Sequence, residues 1–176
     1  MRLKLPKTCV LPLTKFAENE RIGMSDEQDR HFMRIAIEAS RAARGTGNMP
    51  YGAALVSAAG ALLQVSGNSQ VTSGDCTAHA EVNLIREAGA AHGAASLAGA
   101  TVYASGEPCA MCAGALFWAK VRRVVYGMRN DTMMREGGGD TLPINCRDVL
   151  QAGGSHAVEV SGPLLEDEAL EVLRGH

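Results

Sequence analysis

The chain has 176 residues, enough for one domain with a sizeable buried core. Hydrophobic residues make up 46%, charged residues 20% and aromatic residues only 4%, the profile of a soluble globular protein whose core is filled by aliphatic side chains and Ala. The formal net charge of -2 argues against a dedicated nucleic-acid binder with a basic face and leaves room only for a local basic patch.

Residues 1–24 read as an irregular extension, because Pro6 and Pro12 break regular structure. The apolar run Cys9–Leu13 is too short for the hydrophobic region of a signal peptide, and no stretch reaches the length of a transmembrane helix. The expectation is a cytoplasmic protein with one domain over residues 25–176. Ser25 can cap a first helix, with Gln28 three residues on, and Phe32, Ile35, Ala36 and Ala39 recur at helical spacing until Gly45–Pro50 ends the run. Ala53–Ser57 and Ala61–Ser66 read as a hairpin split by Ala58-Ala59-Gly60. Polar residues over 67–75 predict a loop. A second helix is expected from Ala78 to Ala91, burying Val82, Leu84 and Ile85. Ala100–Ala104 reads as a buried strand, and Pro108 as the opening of a third helix carrying Cys109, Cys112, Leu116 and Phe117. Val121–Tyr126 follows as a strand and 128–140 as a loop with flexible Gly137–Gly139. Asn145–Leu150, Ala157–Val160 and Leu164–Leu173 complete the chain as helix, strand and helix. Strands alternating with helices predict an α/β sandwich with helices covering a central sheet.

Five cysteines at positions 9, 76, 109, 112 and 146 have no disulfide-framework spacing. In a reducing compartment the Cys109-x-x-Cys112 pair points to a metal or a redox site. Three apart on a helix, the two side chains share a face, and a helix N-terminus favours the thiolates a metal needs. His79 can add a third ligand from the start of another helix. Three protein ligands leave a tetrahedral zinc one open position, the mark of a catalytic site, where the metal raises the acidity of a water molecule. Glu81 is close enough to reach that water without binding the metal and can take its proton and pass it to a substrate. Each residue alone has a plainer reading: a redox pair, a satisfied histidine, a solvated glutamate. Together they argue against a simple redox pair, which does not require His79-x-Glu81 upstream. A closed structural site remains an alternative, with Cys76 as its fourth ligand.

The arrangement His79-Ala80-Glu81, 26 intervening residues, then Pro108-Cys109-x-x-Cys112 is the signature of zinc nucleobase deaminases. Over about 31–126 the chain resembles the cytidine deaminase-like superfamily. It looks most like the branch that holds guanine deaminases, fungal-type cytosine deaminases and tRNA-specific adenosine deaminases. Thr77–Glu81, Glu107–Ala115 and Pro50-Tyr51-Gly52-Ala53 carry the likeness. The resemblance implies a three-layer α/β/α sandwich with a central mixed sheet of about five strands, and a homodimer. It implies that His79, Cys109 and Cys112 bind Zn2+ and that Glu81 shuttles protons. It also implies that Asn68 recognises the base and that the backbone near Ala80 meets a ring nitrogen or carbonyl. As a plain loop residue, Asn68 fits the Gly67-Asn68 turn equally.

The substrate is read from weaker marks. Phe117-Trp118 and Lys120 resemble the guanine deaminase form, and Trp118 is the candidate purine contact; packing is the plainer explanation of both aromatics. Asp131 lies within a residue of an acidic side chain that aids proton transfer in guanine deaminases. Met128–Met134 departs from the tRNA enzymes. Lys120, Arg122 and Arg123 form a basic cluster, read as a solvated turn in preference to a phosphate contact. Residues 142–147 and 162–165 depart from both subfamilies and suit a lid or a dimer contact. The leading expectation is therefore hydrolytic deamination of a free nucleobase, guanine first. A tRNA adenosine deaminase, or a cytosine or nucleoside deaminase, is the alternative, and nucleic acid is an unfavoured partner.

Overall fold

In a computed structural model of the chain, residues 26–139, 141–154 and 156–176 are described. The extension expected over 1–24, and the cap at Ser25, lie outside them.

Short apolar runs form the strands β1 (Gly52–Val56), β2 (Leu62–Gly67), β3 (Thr101–Gly106), β4 (Arg123–Met128) and β5 (Glu159–Ser161). They make one sheet in the order β2-β1-β3-β4-β5. β1 is antiparallel to both β2 and β3, whereas β3, β4 and β5 run parallel, so the sheet is mixed. All five residues of β1 are buried, as a strand covered on both faces requires.

The strand period of two sorts the core into two layers. Ala53, Leu55, Val102 and Val124 face helices α3 (Ala80–His92), α4 (Ala110–Trp118) and α6 (Cys146–Gln151). Ala54, Val56, Tyr103 and Val125 face α1 (Asp26–Gly45), α5 (Asn130–Gly137) and α7 (Glu166–Arg174). This is the three-layer α/β/α sandwich expected. No helix among the described residues is long and apolar enough to cross a membrane.

Helix α1 lies directly on the hairpin. Its buried stripe runs through Phe32, Met33, Ala36, Ile37, Ser40 and Ala43. A Cβ at Gly52 would overlap the Ala36 carbonyl oxygen and the Ser40 nitrogen, so only glycine permits this approach. Gly67, paired with Gly52 across the hairpin, would bring a Cβ to 3.1 Å from the Ala43 Cβ. Further along α1, the buried Asp29 carboxylate accepts a bidentate pair from Arg123 at 2.7 and 2.8 Å and a hydrogen bond from the Tyr103 hydroxyl at 2.6 Å. Burial, then the bond to Asp29, pushes the Tyr103 hydroxyl well above the ordinary phenol range. Arg123 is therefore a structural ion-pair partner in the sheet, not part of a solvated basic turn; Lys120 and Arg122 are exposed.

Four local expectations change. The loop expected over 128–140 contains α5, whose first turn carries Asp131 and whose last carries Arg135, in keeping with the helix dipole. The loop over 67–75 contains a single helical turn, α2 (Gln70–Ser73). On α3 the residue fully committed to the interior is Asn83 rather than Val82, because its amide donates to the carbonyls of Gly67 and Ala78 and to the Ser69 hydroxyl. Pro108 stands just outside α4, and Cys109 is the extended residue that caps its start.

Candidate active site

Two helix starts converge at the end of the sheet where β3 finishes. His79 precedes the first turn of α3 and Cys109 that of α4, both in extended backbone. Cys112 follows one turn into α4 and is buried. The unpaired N–H groups and positive dipole ends of both helices thus face the same point, where they favour thiolate and carboxylate.

The His79 Nδ1 atom lies 3.7 Å from Cys109 Sγ and 3.5 Å from Cys112 Sγ, and the two sulfurs are 3.7 Å apart. Tetrahedral zinc with ordinary bond lengths needs sulfur–sulfur edges of about 3.8 Å and sulfur–nitrogen edges of about 3.6 Å. The three donors fit that ion. Cys76 is exposed and stands outside the group. The bond from Cys112 and then that from His79 hold Cys109 down near 4, while the bond to Cys109 and burial push Cys112 far up.

Glu81 occupies the first turn of α3 and is buried. Desolvation pushes its carboxyl above the usual carboxylate range. A cavity of about 320 Å³ opens over His79, Glu81 and Cys109. Its wall includes Tyr51, Asn68, Gln70 and Glu107, and its cover is Met133, Met134, Gly138, Gly139 and Thr141. Zinc, when bound, supplies the charge that makes water a nucleophile at neutral pH. Glu81 is the group placed to take a proton beside it and return it to a substrate atom.

Asn68 is 3% exposed and lines the cavity. Its Oδ1 accepts the Gln70 backbone N–H at 3.1 Å, and its Nδ2 donates to Gln70 Oε1 at 2.8 Å. Gln70 in turn donates from Nε2 to the Cys76 carbonyl, so the amide orientation of Asn68 is held from both ends. Ala80 is fully buried in the first turn of α3, beside both His79 and Glu81.

Two candidate residues lie elsewhere. Trp118 is 81% exposed at the end of α4 and lines neither the cavity nor its neighbour; its ring meets Phe117 edge-on. Phe117 is spent on packing, stacked against His156 and filling the space that a side chain at Gly153 would need. Asp131 is exposed, accepts from the Thr132 backbone N–H, and faces a neighbouring cavity of about 390 Å³ on the far side of Glu107 and Asn130. Sequence reasoning gave no role to Gln70, Glu107 or the methionines of α5. Gln70 was hidden in a polar loop. Glu107 stood in plain view before Pro108-Cys109.

Residues 26–128 match the cytidine and deoxycytidylate deaminase zinc-binding region. The chain belongs to that family. It is a zinc-dependent deaminase. A probable cytosine deaminase of Schizosaccharomyces pombe is 40% identical over 156 residues, which cover 85% of this chain and 92% of that one. A tRNA-specific adenosine deaminase of Agrobacterium fabrum is 38% identical over 144 residues, covering 82% and 90%. The guanine deaminase of Nitrosomonas europaea superposes with a TM-score of 0.69 at 26% identity, covering 92% of this chain and 97% of that one.

Proposed function

We propose that this deaminase hydrolyses the exocyclic amine of a free nucleobase, guanine first, and releases ammonia. The observation that carries the reading is the cavity lining: it is small, covered by α5, and among the described residues contains no Lys or Arg. A phosphorylated or RNA substrate needs cations at its phosphates. A neutral base needs a few fixed polar groups in an apolar cup, which Asn68, Gln70, Tyr51 and the two methionines supply. In this reading His79, Cys109 and Cys112 hold the zinc, Glu81 moves protons, and Asn68 with the backbone at Ala80 orients the ring. The volume leaves room for a bicyclic ring, and the likeness to the Nitrosomonas guanine deaminase over nearly its whole length supports guanine. Phe117 and Trp118 lend no support, since neither lines the cavity. The identity to the S. pombe relative favours cytosine as a second reading. A homodimer in the cytoplasm completes the proposal, and the free thiol ligands suit a reducing compartment.

The test is ammonia release by the zinc-loaded protein from guanine, cytosine, adenine, a nucleoside panel and a tRNA anticodon stem-loop, with Glu81→Ala as control. Glu81-dependent release from guanine alone supports the first reading. Release from cytosine alone replaces it with the second, and release only from the stem-loop overturns both.

A further inference from the structure

Glu107 ends the loop between β3 and the first thiol ligand. Its backbone N–H donates to the Met128 carbonyl at 2.8 Å, at the end of β4. Its carboxylate reaches across the site. Oε2 accepts the backbone N–H of Asn130 at 3.1 Å, and Oε1 accepts that of Cys146 at 3.2 Å. Burial and this negative neighbour push the Cys146 thiol up to about 12. Asn130 opens α5 and Cys146 opens α6. Amides in the first turn of a helix have no acceptor within the helix, so both depend on an outside partner.

The segment between those two amides supplies Met133, Met134, Gly138, Gly139 and Thr141, the cover of the active cavity. One side chain, two residues before a metal ligand, therefore fastens both ends of the cover. The neighbouring Gly106 serves the same contact: a Cβ there would overlap the Met133 sulfur. Glu107 and Asn130 also form the partition between the active cavity and the adjoining one, since both line each.

We propose that Glu107 is a positioning residue that clamps the cover, residues 130–139 and 141–146, onto the metal loop and so sets the affinity for substrate. The proposal rests on the reading of the covered cavity as the site for a free base. Glutamine at this position keeps one carbonyl acceptor and turns an NH2 toward the second amide, releasing one end of the cover. Alanine releases both.

The experiment compares zinc-loaded wild type, Glu107→Gln and Glu107→Ala by zinc content, amide hydrogen exchange, and kcat and KM on whichever base the wild type deaminates. Amides over 130–146 are expected to exchange about tenfold faster in Glu107→Ala, with Glu107→Gln between, while those of α3 and α4 keep their wild-type rates. Zinc content stays at the wild-type level, KM rises about tenfold, and kcat changes by less than about threefold. Unchanged exchange over 130–146 overturns the proposal. So does a collapse of kcat at constant KM, which marks a direct proton-transfer role, or loss of zinc with faster exchange in every helix. A wild type inactive on every base sinks the substrate reading alone, and hydrogen exchange then decides the clamp by itself.

Discussion

Glu81→Gln separates two consequences of one buried carboxylate. The variant keeps the shape of the side chain and leaves the three donors of the metal site intact. It loses the capacity to carry a proton, so kcat on the identified base is expected to fall by about 10²–10⁴. That corresponds to about 2.7–5.5 kcal/mol of barrier. The second consequence concerns stability and has the opposite sign. Desolvation raises the Glu81 pKa in the folded, metal-free protein above its unfolded value of about 4.3. The native state therefore binds this proton more tightly than the unfolded chain does. The group favours folding below about pH 4.3 and loses that contribution as pH rises through its folded pKa. Above that unfolded value the burial of this ionisable group destabilises the metal-free wild type, and glutamine removes the effect. Thermal melting of the metal-free proteins should show the variant more stable at pH 7, by about 2–4 °C for each kcal/mol recovered, with the gap closing as pH falls toward 4. Metal analysis alongside turnover ensures that both zinc-loaded proteins carry the same metal. Wild-type turnover by a zinc-loaded Glu81→Gln protein refutes the catalytic half of this reasoning. A metal-free variant that melts below wild type at pH 7 refutes the electrostatic half.

Three other outcomes are expected. Gly52→Ala drives a Cβ into backbone atoms of α1, including the Ala39 carbonyl carbon at 2.7 Å, and should cost about 3 kcal/mol. Gly67→Ala, with its nearest contact at 3.1 Å, should cost about 1 kcal/mol; urea unfolding that ranks the two in reverse order shows that α1 does not sit where the structure has it. In metal-free protein at pH 6, iodoacetamide should label Cys109 well before Cys112 or Cys146, because only Cys109 is held near 4, and zinc should protect it. Peptide mass spectrometry reads the order, and equal labelling of Cys112 contradicts the asymmetry. Lys120 is exposed and holds a left-handed φ of 59° just past α4, so Lys120→Gly should stabilise the fold by about 0.5–1 kcal/mol, measured by the same urea assay; a loss would mean that the lysine makes a contact of greater worth.

The metal donors were legible because zinc chemistry restricts both residue type and spacing, and the structure brings His79, Cys109 and Cys112 within reach of one ion. The sheet was legible from apolar runs such as Ala53–Val56, whose ends shifted by a residue or two. Helix α5 was not, because Gly137–Gly139 and the charges at Arg129, Asp131 and Arg135 mask a helix whose buried face is little more than Thr132 and Met133. Missing α5 hid the cover of the cavity, and with it the roles open to Glu107 and Met133. Trp118 was assigned to the substrate from a resemblance in type; its helical phase, one residue past Phe117, turns it to solvent. Phase along α4 was readable in the sequence, since Cys112 and Leu116 are four apart on the buried side and Trp118 is off that line.

The place of the site follows from strand direction. β3 and β4 are parallel, so their carboxyl ends, Gly106 and Met128, meet at one edge of the sheet. β1 runs against β3 and brings its first residue, Gly52, to that same edge, and β2 returns Gly67 and Asn68 there. Helices that follow strands in such a sheet start where the strands end, so the N-termini of α4 and α5 also open at this edge, and that of α3 reaches it after the Asn68 loop. A metal with thiolate ligands, a buried carboxylate and a carboxylate clamp all concentrate negative charge. Three helix N-termini provide the complementary positive potential, and among the described residues no lysine or arginine lines the cavity. That economy matters for substrate choice. Positive charge supplied by backbone dipoles decays within a turn, so it stabilises ligands fixed in the wall, and among the described residues the wall adds no cation for a phosphate, which favours the proposed free base.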